Sequence, residues 1–153
     1  MRSPSDPKVE RLRKLELFAG LSDKELRRAS RLVSETVRSA GTVLMQQGRP
    51  GAEAFVIVDG SVSVSRDGHE LAQLGPGAVV GELALVEQAP RSATVVAESD
   101  VVVLVFSRPE FSRLLYELPS VGQRVLRQVG RRLRAIDASF SAASGVAASG
   151  SGR

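Results

Sequence analysis

Residues 54–77 read AFVIVDGSVSVSRDGHELAQLGPG. Within them AFVIV (54–58), SVSVS (61–65) and ELAQL (70–74) are short apolar-rich segments separated by Asp59-Gly60, Asp67-Gly68 and Gly75-Pro76-Gly77. β-branched side chains suit a pleated surface, and Asp-Gly and Gly-Pro-Gly supply the tight reversals of hairpins. In SVSVS polar and apolar positions alternate strictly, the two-residue period of a strand with one buried face. Outward from this stretch, TVLM (42–45), ATVVA (93–97) and VVVLVF (101–106) have the same character, and a further strand ends near Val80. Many short strands at near-regular spacing predict an antiparallel β-roll, a jelly-roll-like double-stranded β-helix, rather than a parallel α/β sheet.

Helical signals flank the roll. Ser22 and Glu25 stand at the reciprocal capping-box spacing, so a helix is expected from about Asp23, with Leu26, Ala29, Leu32 and Val33 on one face. Val9, Leu12 and Leu15 mark a shorter stripe upstream. Ser107 and Glu110 repeat the capping box, Phe111, Leu114 and Leu115 supply a buried face, and Phe111 and Tyr116 are expected to anchor that helix. Pro119 opens a longer helix to about Asp137, with Val121, Val125, Val129, Arg132 and Ile136 along one side. SAASGVAASGSGR (141–153) lacks the apolar content to order itself. The expected class is therefore α+β, with a partly helical extension (1–14), one domain (15–137) and a flexible tail (138–153).

Composition narrows the chemistry. The chain has 153 residues, no cysteine and a single histidine, His69, which removes disulfides, thiolate metal sites and imidazole clusters. His69 follows Asp67-Gly68 and reads as an exposed turn residue. No metal site is expected, and no triad or paired acid and base suggests an enzyme. No run of 18 apolar residues and no apolar segment behind the N-terminus occurs, so a cytoplasmic chain without membrane contact is expected. The formal charge of +4 divides as +4 over residues 1–40, −5 over 41–107 and +5 over 108–153. With aromatic content of only 4%, little is available to stack on bases, and the basic ends read as solvated helix surface rather than a nucleic-acid stripe.

GELALVEQAPRSATV (81–95) is unlike a hairpin loop. Leu83, Ala84, Leu85 and Val86 suffice for one short helix, whose first N–H groups, from Glu82, Leu83 and Ala84, would follow Gly81 and form an anion site. Gly81 would let a phosphate approach the backbone closely. Arg91, fixed in approach by Pro90, can bind two phosphate oxygens with one planar fork, and Ser92 adds a hydroxyl. A carboxylate at Glu82 would repel a phosphate unless it accepts from the ligand, for which a ribose 2′-OH is suited. Singly, Glu82 and Arg91 would also fit an ordinary loop salt bridge, worth ~0–1 kcal/mol when exposed. Their convergence with Gly81 and Pro90 in so short a segment favours a ribose phosphate site.

At these residues the chain resembles the phosphate-binding cassette of the cyclic-nucleotide-binding domain family, found in the catabolite activator protein, protein kinase A regulatory subunits and cyclic-nucleotide-gated channels. The pattern Gly-Glu-(Leu/Ile)-Ala, then Pro-Arg-(Ser/Thr/Ala)-Ala, is met by Gly81, Glu82, Leu83, Ala84, Pro90, Arg91, Ser92 and Ala93. The likeness runs from about Leu15 to Ile136, and includes LFAGLS and the glycines at 48, 60, 75 and 77. It implies that Glu82 binds the ribose 2′-OH, Arg91 the cyclic phosphate, and Ser92 and the Ala93 amide the phosphate oxygens. Ser92, where cGMP binders often carry threonine, leans toward cAMP, with cGMP the other candidate.

Ile136 stands where the catabolite activator protein places a threonine against adenine, and Arg132 could instead stack on the purine or simply snorkel over the core. Val64 and Leu74 could line the base pocket or serve as core. The resemblance further implies that ligand draws the cassette inward and the last helices close over the base, the movement being read by an effector protein, with a homodimer through the C-terminal helix as one arrangement. Only 16 residues follow Asp137, too few for a helix-turn-helix, so a transcription factor of the catabolite-activator type is not expected of this chain. The competing expectation is a degenerate roll that acts as a protein-interaction module without nucleotide.

Overall fold

The computed structural model describes residues 6–82, 89–128 and 130–131. Among these, eight strands form two four-stranded antiparallel sheets. One runs β1 (Ser34–Arg38), β8 (Val101–Ser107), β3 (Glu53–Asp59), β6 (Val79–Val80); the other runs β2 (Val43–Met45), β7 (Thr94–Ala97), β4 (Val62–Arg66), β5 (His69–Leu74). The segments expected as strands are strands, and the turns between them fall at the Asp-Gly and Gly-Pro-Gly signals.

Successive side chains of a strand face opposite ways, and in β3 and β8 both faces are covered. Ala54, Val56, Leu104 and Phe106 join a core beneath the helices, with Leu12, Phe18, Leu26, Phe111 and Val121. Phe55, Ile57, Val101 and Val103 join a second core between the sheets, with Val62, Val64, Val80 and Val95. Two covered faces explain why AFVIV and VVVLVF are unbroken apolar runs, whereas SVSVS, covered on one face, alternates. Each fully buried Leu, Ile or Phe contributes ~1.5–3 kcal/mol, so these two layers dominate the stability of the roll.

β1, Ser-Glu-Thr-Val-Arg, was not foreseen in the sequence. It pairs with β8 from the edge of its sheet, Ser34 opposite Val105 through Arg38 opposite Val101. None of its residues is fully buried, and Val37 is exposed. A solvated edge strand carries charge instead of an apolar period, which is how edges resist mispairing.

Four helices complete the fold among the described residues. α1 (Pro7–Arg13) begins at Asp6, whose side chain accepts from Lys8 N–H, and a 3₁₀ turn follows at Glu16–Phe18. α2 (Asp23–Arg31) carries the complete capping box: Glu25 N–H donates to Ser22 Oγ at 3.1 Å and Ser22 N–H to Glu25 Oε1 at 2.9 Å. α3 (Arg108–Glu117) has the same box at Ser107 and Glu110. α4 covers residues 119–128, with Val121 and Val125 buried.

Phe111 is buried and stacks on Phe106, ring centroids 5.0 Å apart. Tyr116, expected to share that anchoring role, is instead 88% exposed. Its position turns it away from the face that carries Phe111 and Leu114. The short helix at 83–86, Val129, Arg132, Ile136, the end of the long helix and the tail after Phe140 lie outside the described residues. No helix among the described residues is long and apolar enough to cross a membrane.

Candidate functional site

The site is assembled where β6 ends and β7 begins. β6 delivers Gly81 and Glu82; Gly81 has φ +84° and Glu82 is buried. The chain then presents Ala89 and Pro90 to solvent, buries Arg91, exposes Ser92 and buries Ala93 before β7 starts at Thr94.

Arg91 is fixed first through its backbone. Its N–H donates to Arg49 O at 2.9 Å, and its carbonyl accepts from Gly48 N–H at 2.8 Å, which pins it against the turn before β3. The side chain then turns inward and is 7% exposed. Nη2 donates to Glu53 O at 2.7 Å and Nη1 to Gly81 O at 3.2 Å. These bonds use two of the five N–H donors of a guanidinium. Burial pushes the Arg91 pKa below its ordinary value, and the nearby Glu53 and Glu82 carboxylates act against that shift. Arg91 takes no part in the ion pairs formed among the described residues, so the loop salt bridge weighed from sequence is not what holds it.

Two glycines make room for the guanidinium. A Cβ on Gly51 would lie 1.9 Å from Arg91 Nε, and one on Gly81 would lie 2.9 Å from both Arg91 Nη1 and Glu53 O. Gly81 was expected to matter for the approach of a phosphate to the backbone. Its conformation and its clearance of Arg91 already require a glycine there. Gly51 and the carbonyl of Glu53 were not foreseen. In the sequence, Gly48-Arg49-Pro50-Gly51 is only a turn signal, and carbonyls leave no mark in side-chain patterns.

The far side of the segment is held by the β4–β5 hairpin. Arg66 Nε donates to Ser92 O at 2.9 Å. Gln47 N–H donates to Thr94 Oγ1 at 3.0 Å, and the Gln47 amide and Asp67 exchange two hydrogen bonds of 2.8 Å at the hairpin tip. His69, in the same hairpin, is exposed as expected. Val64 is buried in the core between the sheets and Leu74 packs against it. The structure thus brings Gly81, Glu82, Arg91, Ser92 and Ala93 to one end of the roll, while Leu83, Ala84, Arg132 and Ile136 fall outside the described residues. A depression of about 600 Å³ lined by Pro50, Gly51, Ala52, Ala89, Pro90 and Arg108 flanks this end without including Glu82, Arg91 or Ser92. The described residues hold no group of His, Asp or Glu suited to a metal. Chemically, a buried guanidinium beside a buried carboxylate can take an anion that also carries a hydroxyl.

Residues 36–117 match the cyclic nucleotide-binding domain. The chain belongs to this family. It is 38% identical over 95 residues to the Pycsar effector protein XpPycTIR of Xanthomonas perforans, covering 61% of this chain and 31% of that protein. With the cyclic AMP receptor protein of Thermus thermophilus it shares 32% identity over 126 residues, 79% of this chain and 58% of the relative. The crystal structure of the Thermus thermophilus catabolite activator protein superposes with a TM-score of 0.72 at 31% identity, over 84% of this chain and 62% of the other. The chain thus spans less than two thirds of the length of these two curated relatives, 31% of the one and 58% of the other.

Proposed function

We propose that residues 15–137 form a regulatory unit that binds a cyclic nucleotide, cAMP in preference to cGMP, and passes the signal on through its C-terminal helices. The observation that carries this reading is the Arg91 guanidinium, kept inside the roll by carbonyl oxygens and cleared by two glycines. A side chain held this way is positioned before its anion arrives, which lowers the ordering cost of binding. In this reading Arg91, the Ser92 hydroxyl and the Ala93 N–H take the cyclic phosphate, and Glu82 accepts from the ribose 2′-OH. The N–H groups following Gly81, at Leu83 and Ala84, add to the phosphate site. Val64 and Leu74 face the base, and Arg132 or Ile136 covers it. The unit is non-catalytic, works in the cytoplasm and is read by an effector protein. The preference for cAMP is supported by Ser92 and by the likeness to a cyclic AMP receptor protein.

The test is calorimetric titration of cAMP and cGMP into the parent and an Arg91→Ala variant. The parent is expected to bind cAMP more tightly, and the variant to lose ~2–4 kcal/mol, the scale of a charge-assisted bidentate contact left unmade. Equal affinity in both proteins removes Arg91 from the site. No binding of either nucleotide by the parent favours the interaction module instead.

A further inference from the structure

β6 has two residues and forms one edge of its sheet, with β3 on its inner side. An edge strand presents N–H and C=O groups that a neighbouring strand would otherwise pair. On the outer side of β6 the partner is a side chain. Gln128 of α4 accepts from Val79 N–H through Oε1 at 3.1 Å and donates from Nε2 to Gly77 O at 3.0 Å. A carboxamide carries one acceptor and a donor in one plane, so it can stand in for a peptide group of a missing strand. Glutamate lacks the donor at neutral pH, and lysine or arginine lacks the acceptor. One helical turn earlier, Arg124 Nη1 donates to Leu17 O at 2.9 Å, so α4 is tied on one side to the N-terminal helices and on the other to the roll.

We propose that Gln128 is a positioning residue for the ligand site: its carboxamide locks α4 to the strand that, two residues beyond Val79, delivers Gly81 and Glu82. The seat of α4 and the seat of the cassette are then one equilibrium. A ligand that holds the cassette gains from the lock, and loss of the lock shortens its residence. This inference rests on the cyclic-nucleotide reading of the site.

Stopped-flow release of a fluorescent cAMP analogue is measured from the parent, Gln128→Ala, Gln128→Glu and Gln123→Ala, the last an exposed position on the same helix. Release is expected to quicken about tenfold in Gln128→Ala, the scale of two neutral hydrogen bonds, and about threefold or more in Gln128→Glu, which keeps an acceptor for Val79 N–H but sets a carboxylate oxygen against Gly77 O. Association rates stay unchanged, because the phosphate contacts remain, and Gln123→Ala matches the parent. Parent-like release from both Gln128 variants overturns the proposal. If the parent binds no cyclic nucleotide, the site reading fails, and the lock is judged by the Val79 amide resonance. A clear shift of that resonance in Gln128→Ala supports the tie between α4 and β6, and an unshifted one overturns it.

Discussion

Replacing Gly51 with alanine separates the position of Arg91 from its presence. The new Cβ would lie 1.9 Å from Arg91 Nε, 2.2 Å from Cζ and 2.5 Å from Nη2. Contacts between such atoms settle near 3.5 Å, so the guanidinium must retreat by roughly 1.5 Å. A hydrogen bond of 2.7 Å from Nη2 to Glu53 O does not survive a shift of that size. Gly51 is not among the positive-φ glycines, so its backbone accepts alanine, and the smaller entropy of the unfolded chain offsets ~0.4–1 kcal/mol of the local cost. The fold should therefore persist while the ligand site loses its alignment. Calorimetry is expected to show cAMP affinity down by about 30-fold or more, approaching that of Arg91→Ala, with a thermal midpoint close to the parent. Gly81→Ala makes the contrast: its Cβ meets Arg91 Nη1 and Glu53 O at 2.9 Å and Met45 Sδ at 3.2 Å at a φ of +84°, so it should lower both stability and affinity. Parent-like binding by a folded Gly51→Ala protein would refute the claim that the guanidinium acts from this slot.

Two further outcomes test the packing and the caps. Phe111→Ala removes a buried ring stacked on Phe106 and is expected to cost ~3–5 kcal/mol in urea unfolding, whereas Tyr116→Ala, at an exposed position, should stay within ~0.5 kcal/mol of the parent. The Ser22 backbone N–H, and then its side chain, hold the Glu25 carboxyl below its ordinary value. A depressed carboxyl adds stability above its unfolded pKa and loses it as pH falls through the folded one. Acid titration of the thermal midpoint should therefore show a shallower fall below the usual carboxylate range in Glu25→Gln than in the parent.

The legible parts of the sequence were those where one side chain reports one local force. Strict alternation in SVSVS, the Asp-Gly reversals and the two capping boxes all describe interactions within a few residues, and each appears where the spacing put it. β1 was illegible because Ser-Glu-Thr-Val-Arg holds a single apolar residue, Val37, and that residue faces solvent, so no apolar period marks the strand. Tyr116 misled because an aromatic near a buried face suggests burial, yet its place on the helix turns it to solvent. In the candidate site, the spacing singled out Gly81, Glu82 and Arg91, which the structure brings together at one end of the roll. Gly51, Arg66, Gln47 and the carbonyl of Glu53 could not be singled out, because they come from segments 26 to 44 residues from Ser92 or Arg91 and act through backbone atoms or excluded volume.

The chain holds a guanidinium in its interior, where burial opposes the charge, and it does so with dipoles instead of an ion pair. A carboxylate clasped directly on Arg91 would satisfy it, but would also have to be displaced by any incoming anion, at the cost of the pair. Carbonyl oxygens leave the net charge in place. Two of them, reached by the two terminal nitrogens, also fix the plane of the fork, so the remaining N–H groups point in a set direction. Glu53 and Glu82 act against the lowering of the Arg91 pKa by burial, without an ion-pair contact to Arg91 among the described residues. An arrangement that keeps a cation buried, planar and uncommitted to a carboxylate leaves three of its five N–H donors for the anion proposed above.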